Sequence, residues 1–126
     1  MILVFGGVYQ GKLAYVLDRF GLSDADVFEC RSEDAAMPTG RKVVYEIDKW
    51  LLALTESDAD AAEALELFMD ENKDVIVICN DVSCGVVPID GTLRKWRETV
   101  GKSLAELSRA SDEVVRLFCG IPTRLK

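Results

Sequence analysis

A glycine-rich segment between an apolar run and a helical pattern is the feature that most constrains this fold. Residues 2–5, Ile-Leu-Val-Phe, are wholly apolar and are followed by Gly6 and Gly7. This composition is typical of a buried parallel strand that ends in a turn. The apolar residues that follow Lys12 repeat with the spacing of one helical face; they are Leu13, Val16, Leu17 and Phe20. Gly21 then provides a helix stop signal, so the chain begins with a strand, a turn and a helix.

Apolar runs and helical patterns alternate along the rest of the chain. The runs that predict further strands lie at residues 27–30, 43–47, 75–79 and 114–119. Helical spacing begins near Asp48, Asp58 and Thr92, and the two aspartates are candidate N-caps. The stretch 80–90 contains glycine and proline and predicts a loop.

This order of elements predicts an α/β fold with three layers, in which helices cover both faces of a mainly parallel sheet. The 126 residues are the size of one domain, residues 1–126, with a single core. Ligands of such sheets bind beyond the carboxyl ends of the strands. Function is therefore expected in the loops that follow the strands.

The segment from Gly6 to Lys12, called the glycine loop below, fits the P-loop pattern G-x-x-x-x-G-K between a strand and a helix. Glycines let successive backbone N–H groups turn toward phosphate oxygens, and the helix N-terminus adds partial positive charge. Lys12 supplies a mobile charge for the terminal phosphates. We therefore expect ATP or GTP to bind the loop residues, which are Gly6, Gly7, Val8, Tyr9, Gln10, Gly11, Lys12 and Leu13.

The pattern is incomplete at its last position. A P-loop continues with Ser or Thr, whose hydroxyl ligates Mg²⁺, but this chain has Leu13. The alternative interpretation is a glycine-rich turn that carries an incidental lysine.

Two carboxylates follow predicted strands and are candidates for chemistry. Glu46 is predicted to hold Mg²⁺, directly or through water, if its strand neighbours the first strand; a solvated carboxylate is the alternative. Asp48 is a rival for this role, although helix capping explains it equally well. Asp81 is predicted to position a substrate hydroxyl as a base or to bind metal, and a simple Asn-Asp turn is the alternative.

Composition excludes several classes of function. The net charge of −7 disfavours binding to nucleic acid or anionic lipid. No apolar run approaches membrane length, and no secretory signal precedes the first strand. The cysteines lack CxxC spacing, and three of them close apolar runs, so we expect those three to be reduced and buried in a cytoplasmic protein; the four are Cys30, Cys79, Cys84 and Cys119. The chain has no histidine, so no imidazole serves as a base, ligand or covalent intermediate.

The C-terminal half resembles the adenosylcobinamide kinase / adenosylcobinamide-phosphate guanylyltransferase family of cobalamin biosynthesis. Its most specific element is the stretch Val77-Ile78-Cys79-Asn80-Asp81-Val82 with Gly85-Val86-Val87-Pro88. The further matching residues are Arg94, Arg97, Glu98, Gly101, Ala110 to Val114, Gly120 to Pro122, Leu125 and Lys126. The opening strand and glycine loop, and Val43 to Glu46 with Trp50, also match.

The resemblance implies a P-loop sheet similar to recombinase-type ATPase cores, assembled into ring-like oligomers. Such proteins phosphorylate a cobinamide hydroxyl with a nucleoside triphosphate and then transfer GMP through a guanylylated histidine. By this resemblance Lys12, Glu46 and Asp81 match family positions. The segment that carries the family's histidine is largely missing here, and Leu104-Ala105 replace a polar pair.

Together these observations predict a shortened cobinamide kinase whose guanylyltransferase activity is lost. The expected partners are ATP or GTP, Mg²⁺, a cobinamide and further copies of the chain. The alternative is a non-catalytic nucleotide-binding or structural paralogue, which Leu13 and the deletion favour.

Overall fold

Strands and helices alternate along the chain in the computed structural model, which describes residues 1–82 and 90–126. The elements are β1 (Ile2–Gly6), α1 (Lys12–Phe20), a short 3-10 helix (Asp24–Asp26), β2 (Val27–Glu29), β3 (Val43–Tyr45), α2 (Ile47–Glu56), α3 (Ala61–Glu71), β4 (Ile76–Asn80), α4 (Gly91–Ala110), β5 (Glu113–Phe118) and β6 (Ile121–Arg124). Part of the predicted loop, with Gly85 and Pro88 of the resemblance, lies outside the described residues. No helix within the described ranges is both long and apolar enough to cross a membrane.

The strands form one six-stranded sheet in the order β2-β3-β4-β1-β5-β6. All neighbouring strands are parallel except β6, which pairs antiparallel with β5. In the register, Leu3 of β1 pairs with Val77 of β4 on one side and Val114 of β5 on the other. The prediction of a mainly parallel α/β sheet is therefore confirmed. The first strand is central, so the loop that follows it lies in the middle of the sheet's carboxyl edge.

Alternate residues of each central strand pack on opposite faces of the sheet, as the two-residue period of strands requires. Leu3 and Val77 lie in the apolar cluster that α2, α3 and α4 cover. Val4 and Ile78 lie in the cluster that Val16 of α1 covers. Helices thus cover both faces, which confirms the predicted three layers.

The two predicted N-caps of the middle helices are wrong by two residues each. Helix α2 has Glu46 at its N-cap, and Asp48 lies inside its first turn. Helix α3 is capped by Asp60, whose side chain accepts from the N–H of Glu63, while Asp58 lies in the preceding turn with φ 55°. Spacing alone did not locate the first helical residue, because tertiary contacts hold Asp48 and a second aspartate was available nearby.

A tight turn joins β5 to β6. Cys119 and Gly120 have φ angles of 51° and 75°, the positive pair that favours a type I′ hairpin. Cys119 is therefore exposed, and its predicted burial is wrong because the strand ends before it. Cys30 and Cys79 are buried, as predicted, and Cys84 lies outside the described residues.

Candidate functional site

The glycine loop leaves the centre of the sheet as an open bend. At Gly6 the backbone passes so close to β5 that an added Cβ would lie 2.3 Å from the carbonyl oxygen of Leu117. Tyr9 and Gly11 have φ angles of 62° and 82°, and Gly11 is the N-cap of α1. The side chain of Tyr9 is 99% exposed, so it does not fill the bend.

Both ends of the glycine loop are tied to neighbouring elements. The N–H of Asp81, just after β4, donates to the carbonyl oxygen of Gly6 at 2.8 Å. The N–H of Gly120 donates to the carbonyl oxygen of Gln10 at 3.2 Å, and the N–H of Cys119 donates to Oε1 of Gln10. These bonds fix the loop against β4 on one side and the β5–β6 turn on the other.

Lys12 lies inside the bend. Its side chain is buried, and Nζ donates to the carbonyl oxygen of Gly7 at 2.6 Å. Burial lowers the pKa of this ammonium, while the nearby carboxylates of Asp48 and Glu46 and the thiol of Cys79 act in the opposite direction. The bend therefore encloses a positive charge that is solvated poorly and bonded to its own backbone.

A cavity of about 560 Å³ opens beside the glycine loop at the carboxyl edge of the sheet. Its described walls are Val8, Tyr9, Gln10, Gly11, Lys12, Leu13, Ala14, Ser32, Tyr45, Glu46, Asp48, Lys49, Leu52, Asn80, Val82 and Trp96. The cavity thus combines a buried ammonium, carboxylates and apolar side chains, a mixture typical of small-molecule sites.

A larger cavity, of about 880 Å³, lies between α3 and α4. Its walls include Leu65, Met69, Lys102 and Ser103, together with the turn from Ala59 to Ala62 at the start of α3. The smaller cavity is the better candidate, because ligands of parallel sheets bind at the carboxyl edge.

Glu46 reaches the same cavity by a route that differs from the prediction. Its strand, β3, does not neighbour β1, because β4 lies between them. The residue adopts φ 59° and ψ 53° at the N-cap of α2, a left-handed conformation that is strained for glutamate. Its side chain nevertheless lines the cavity together with Lys12.

The carboxylate of Glu46 is largely buried and lies beside two donors. Its Oε2 forms an ion pair with Nζ of Lys49, and the hydrogen bond to Glu46 is the main cause of the raised pKa of Lys49. Burial, and then the hydrogen bond to this carboxylate, raise the pKa of Tyr45 to about 12. A metal ion at this carboxylate would compete with the ammonium of Lys49 for the same oxygen.

Asp48 was a candidate in the sequence both for binding Mg²⁺ and for capping a helix. In the structure it accepts two hydrogen bonds from Asn80. Its Oδ1 accepts from the backbone N–H at 3.0 Å, and its Oδ2 accepts from Nδ2 at 3.2 Å. The indole N–H of Trp96 donates to the backbone oxygen of Asp48 at 2.7 Å. Burial raises the pKa of the Asp48 carboxyl, although the bonds from Asn80 oppose this shift. Sequence reasoning missed the roles of Asn80 and Trp96, and the position of Asn80 at a strand end was the available signal.

Asp81 stands apart from the other predicted side chains. Its neighbours Asn80 and Val82 line the described cavity walls, whereas Asp81 does not. Its backbone, in contrast, contacts the glycine loop through Gly6. The structure therefore brings Lys12 and Glu46 into one cavity and leaves Asp81 beside it.

The described residues offer Mg²⁺ a sparse set of donors. No group of three or more acidic, cysteine or histidine side chains gathers within the described ranges. Leu13 has no oxygen and packs against the apolar cluster on the α1 face, and both carboxylate oxygens of Asp48 bond Asn80. Glu46 remains, and one carboxylate suits Mg²⁺ when phosphate oxygens and waters complete its shell.

Comparison with protein families places this geometry in context. The family model described as cobinamide kinase / cobinamide phosphate guanyltransferase matches residues 33–125. The matched range includes Glu46, Asp48, Asn80 and Asp81. The glycine loop, at residues 6–12, lies before the matched range, so the match gives no information about it. No individual curated protein matches the chain. Because the match spans most of the chain and agrees with the resemblance seen in its sequence, the chain belongs to the cobinamide kinase / cobinamide phosphate guanyltransferase family.

Proposed function

We propose that this chain is a cobinamide kinase that transfers a phosphoryl group from ATP or GTP to a cobinamide hydroxyl. The observation that carries the proposal is the buried ammonium of Lys12 inside the glycine loop, at the carboxyl edge of the sheet. Membership of the family supplies the reaction class and the acceptor. The proposal further holds that residues 1–126 act as one domain and that copies of the chain associate.

In this proposal the glycine loop holds the phosphates. The backbone N–H groups from Gly6 to Leu13 and the N-terminus of α1 stabilise their negative charge. In this structure the ammonium of Lys12 donates a hydrogen bond to the carbonyl oxygen of Gly7. A phosphate oxygen is a better acceptor for a poorly solvated cation, since a bond between charged groups is stronger than one to a neutral carbonyl. Nucleotide binding would therefore draw Nζ away from Gly7.

We assign Mg²⁺ to Glu46, with the remaining ligands supplied by phosphates and water. When bound, the ion would neutralise charge on the transferred group. Before the ion binds, the ion pair with Lys49 holds the Glu46 carboxylate at the cavity wall.

We assign to Asp81 the role of holding the cobinamide hydroxyl that receives the phosphoryl group. Asp81 follows β4, next to the cavity-lining Asn80. The hydroxyl oxygen of cobinamide forms the new bond to the γ-phosphorus as the bond to the nucleoside diphosphate breaks. Asp81 orients the hydroxyl and accepts its proton. Phosphoryl transfer depends mainly on positioning and charge neutralisation, so this small set of groups is sufficient.

We infer that the second activity in the family's name is lost. By resemblance, the family transfers GMP through a histidine, and this chain has no histidine. The product of the proposed reaction is therefore cobinamide phosphate, with no guanylyl transfer to follow on this chain.

One observation favours a second candidate, a nucleotide-binding paralogue without catalysis. Leu13 stands where a hydroxyl would complete the metal site, and it packs against apolar side chains instead. Loss of that ligand would weaken phosphoryl transfer more than nucleotide binding.

A transfer assay separates the two candidates. Purified protein is incubated with γ-labelled ATP or GTP, Mg²⁺ and cobinamide, and labelled cobinamide phosphate is measured. We expect the wild type and the control Lys102→Ala, an exposed lysine far from the loop, to form product. Lys12→Ala should lose activity by about 100-fold or more, as when one charge-stabilising donor is removed.

Full activity in Lys12→Ala would refute the site assignment. Nucleotide binding by the wild type without any transfer would favour the non-catalytic paralogue.

A further inference from the structure

Asp48 is a buried carboxylate whose hydrogen bonds connect different elements of the site. Only 3% of the residue is exposed, and carboxylates are rarely buried unless they are paired. Both oxygens accept from Asn80, one from its backbone and one from its side chain. The first turn of α2 is thereby fixed to the last residue of β4.

The connection continues from Asn80 to the glycine loop. The next residue, Asp81, donates its backbone N–H to the carbonyl oxygen of Gly6 at 2.8 Å. On its other side, Asp48 accepts at its backbone oxygen from the indole of Trp96 on α4, at 2.7 Å. One residue thus connects α4, the end of β4 and the start of the glycine loop.

We propose that Asp48 is a positioning residue that holds the glycine loop in its phosphate-accepting shape by clasping Asn80 with both carboxylate oxygens. It acts through Asn80 and Asp81 and need not touch the nucleotide. The consequence for ligand affinity rests on the proposed function, whereas the consequence for the loop is measurable without any ligand.

A reciprocal exchange of side chains tests this clasp. Asp48→Asn turns an amide NH₂ toward the NH₂ of Asn80, so two donors face each other and one bond is lost. In the double variant Asp48→Asn/Asn80→Asp, residue 48 donates and residue 80 accepts, which restores both bonds while the charge moves to β4. The matched control is Asp60→Asn, which makes the same substitution at the exposed N-cap of α3, where Asn caps about as well as Asp, and which lies outside the glycine-loop cavity.

The first readout is amide hydrogen exchange, followed by NMR on the full chain without nucleotide. We expect Asp48→Asn to speed exchange of the Asp81 amide about tenfold relative to wild type, the effect of one lost buried hydrogen bond. We also expect shifts of the Gly7 and Gly11 amide resonances and of the Trp96 indole resonance. The double variant should return these signals close to wild type, and Asp60→Asn should leave them unchanged.

The second readout is the dissociation constant for ATP. We expect about tenfold weaker binding in Asp48→Asn, with recovery in the double variant. If wild type binds no nucleotide, the proposed function fails, and the exchange data still decide whether Asp48 orders the loop.

Three results would overturn the proposal. The first is a loop whose exchange and amide resonances are unchanged in Asp48→Asn. The second is a double variant that folds but does not recover, which would mean that the charge at position 48 matters rather than the clasp. The third is a disturbed loop with unchanged affinity in a wild type that binds ATP. If Asp48→Asn alone fails to fold, the double variant decides, because it keeps both bonds.

Discussion

Lys12 shows how a single residue links stability to function in this protein. Its ammonium is buried beside the glycine loop and bonded to a neutral carbonyl. A charge in such a place costs stability unless an anion joins it. The lowered pKa of Lys12 has the same origin.

We therefore expect Lys12→Met to stabilise the ligand-free protein. Methionine fills similar space without a charge, and the gain should be about 1 kcal/mol at pH 7, at the low end for removal of a buried charge, because the carboxylates of Asp48 and Glu46 offset part of the penalty. Denaturant unfolding measures it, with the exposed Lys102→Met as control. A loss of stability in Lys12→Met would contradict this interpretation.

The same comparison has a defined pH dependence. The pKa of Lys12 in the folded protein lies below its ordinary value of 10.5, so the penalty is fully present below the folded pKa and is relieved as pH rises toward 10.5. The advantage of Lys12→Met should therefore shrink over that alkaline range. An advantage that grows with pH would show that the sign is wrong.

Gly6 is a second residue whose identity the backbone dictates. A Cβ there would meet the Leu117 carbonyl oxygen at 2.3 Å, whereas a Cβ at Gly40, which also has positive φ, would meet nothing within 4 Å. We expect Gly6→Ala to cost about 3 kcal/mol, and Gly40→Ala about 1 kcal/mol from backbone strain alone. Equal losses in denaturant unfolding would exclude the close approach as the cause.

At the scale of elements, local pattern predicted the strands and helices better than their boundaries. The apolar runs near residues 2–5 and 75–79 are β1 and β4, and the last helix, predicted to begin near Thr92, spans Gly91–Ala110. These segments could be predicted because a buried central strand is a continuous apolar run, and a helix packed on the sheet has apolar residues at helical spacing.

The errors occurred where packing rather than pattern decides. Asp48 resembles a cap in sequence, yet its side chain accepts hydrogen bonds from Asn80 at the end of β4. Cys119 continues an apolar run, yet the chain turns there. Local sequence does not show which strands pair with each other. Only the structure shows that β4 lies between β3, which Glu46 follows, and β1, which precedes the glycine loop.

The described cysteines differ in burial, so we expect their thiols to differ in reactivity. Burial raises the pKa of Cys30 to about 12 and also raises that of Cys79, whereas Cys119 is exposed in the β5–β6 turn. Alkylation mapped by mass spectrometry should modify Cys119 at least about tenfold faster than the other two, because only the accessible thiolate reacts. Equal rates for the three thiols would contradict the described burial.

These thiols also predict how the fold responds to alkaline pH. A thiol whose folded pKa is raised stabilises the protein below its ordinary value, 9.0 for Cys30, and this contribution is lost as pH rises toward about 12. Stability should therefore fall above about pH 9, and Cys30→Ala, measured by denaturant unfolding at each pH, should fall less steeply. An identical slope in wild type and variant would contradict this.

At the scale of the whole molecule, the sheet order gathers the site. Because β1 lies between β4 and β5, the glycine loop contacts the ends of both neighbours, and the cavity collects side chains from α2, β4 and α4. The family match covers residues 33–125, which include the cavity residues of α2, β4 and α4.

Binding of a nucleotide at this cavity should stabilise the whole fold. At a nucleotide concentration about 100 times the dissociation constant the gain is about 2.7 kcal/mol, a rise in Tm of several degrees. We expect Mg²⁺ to enlarge the shift for wild type, and Glu46→Gln to keep the shift with nucleotide alone while losing the enlargement. A Glu46→Gln variant with the full Mg²⁺ response would remove Glu46 from the metal site.

The most direct test of the account is a calorimetric titration of ATP and of GTP into wild type, Lys12→Met and Lys102→Met. We predict saturable binding of at least one nucleotide to wild type and Lys102→Met, and no measurable binding to Lys12→Met at the same concentrations. Equal binding by Lys12→Met, or no binding by wild type to either nucleotide, would contradict the claim that the glycine loop and its buried lysine form a nucleotide site.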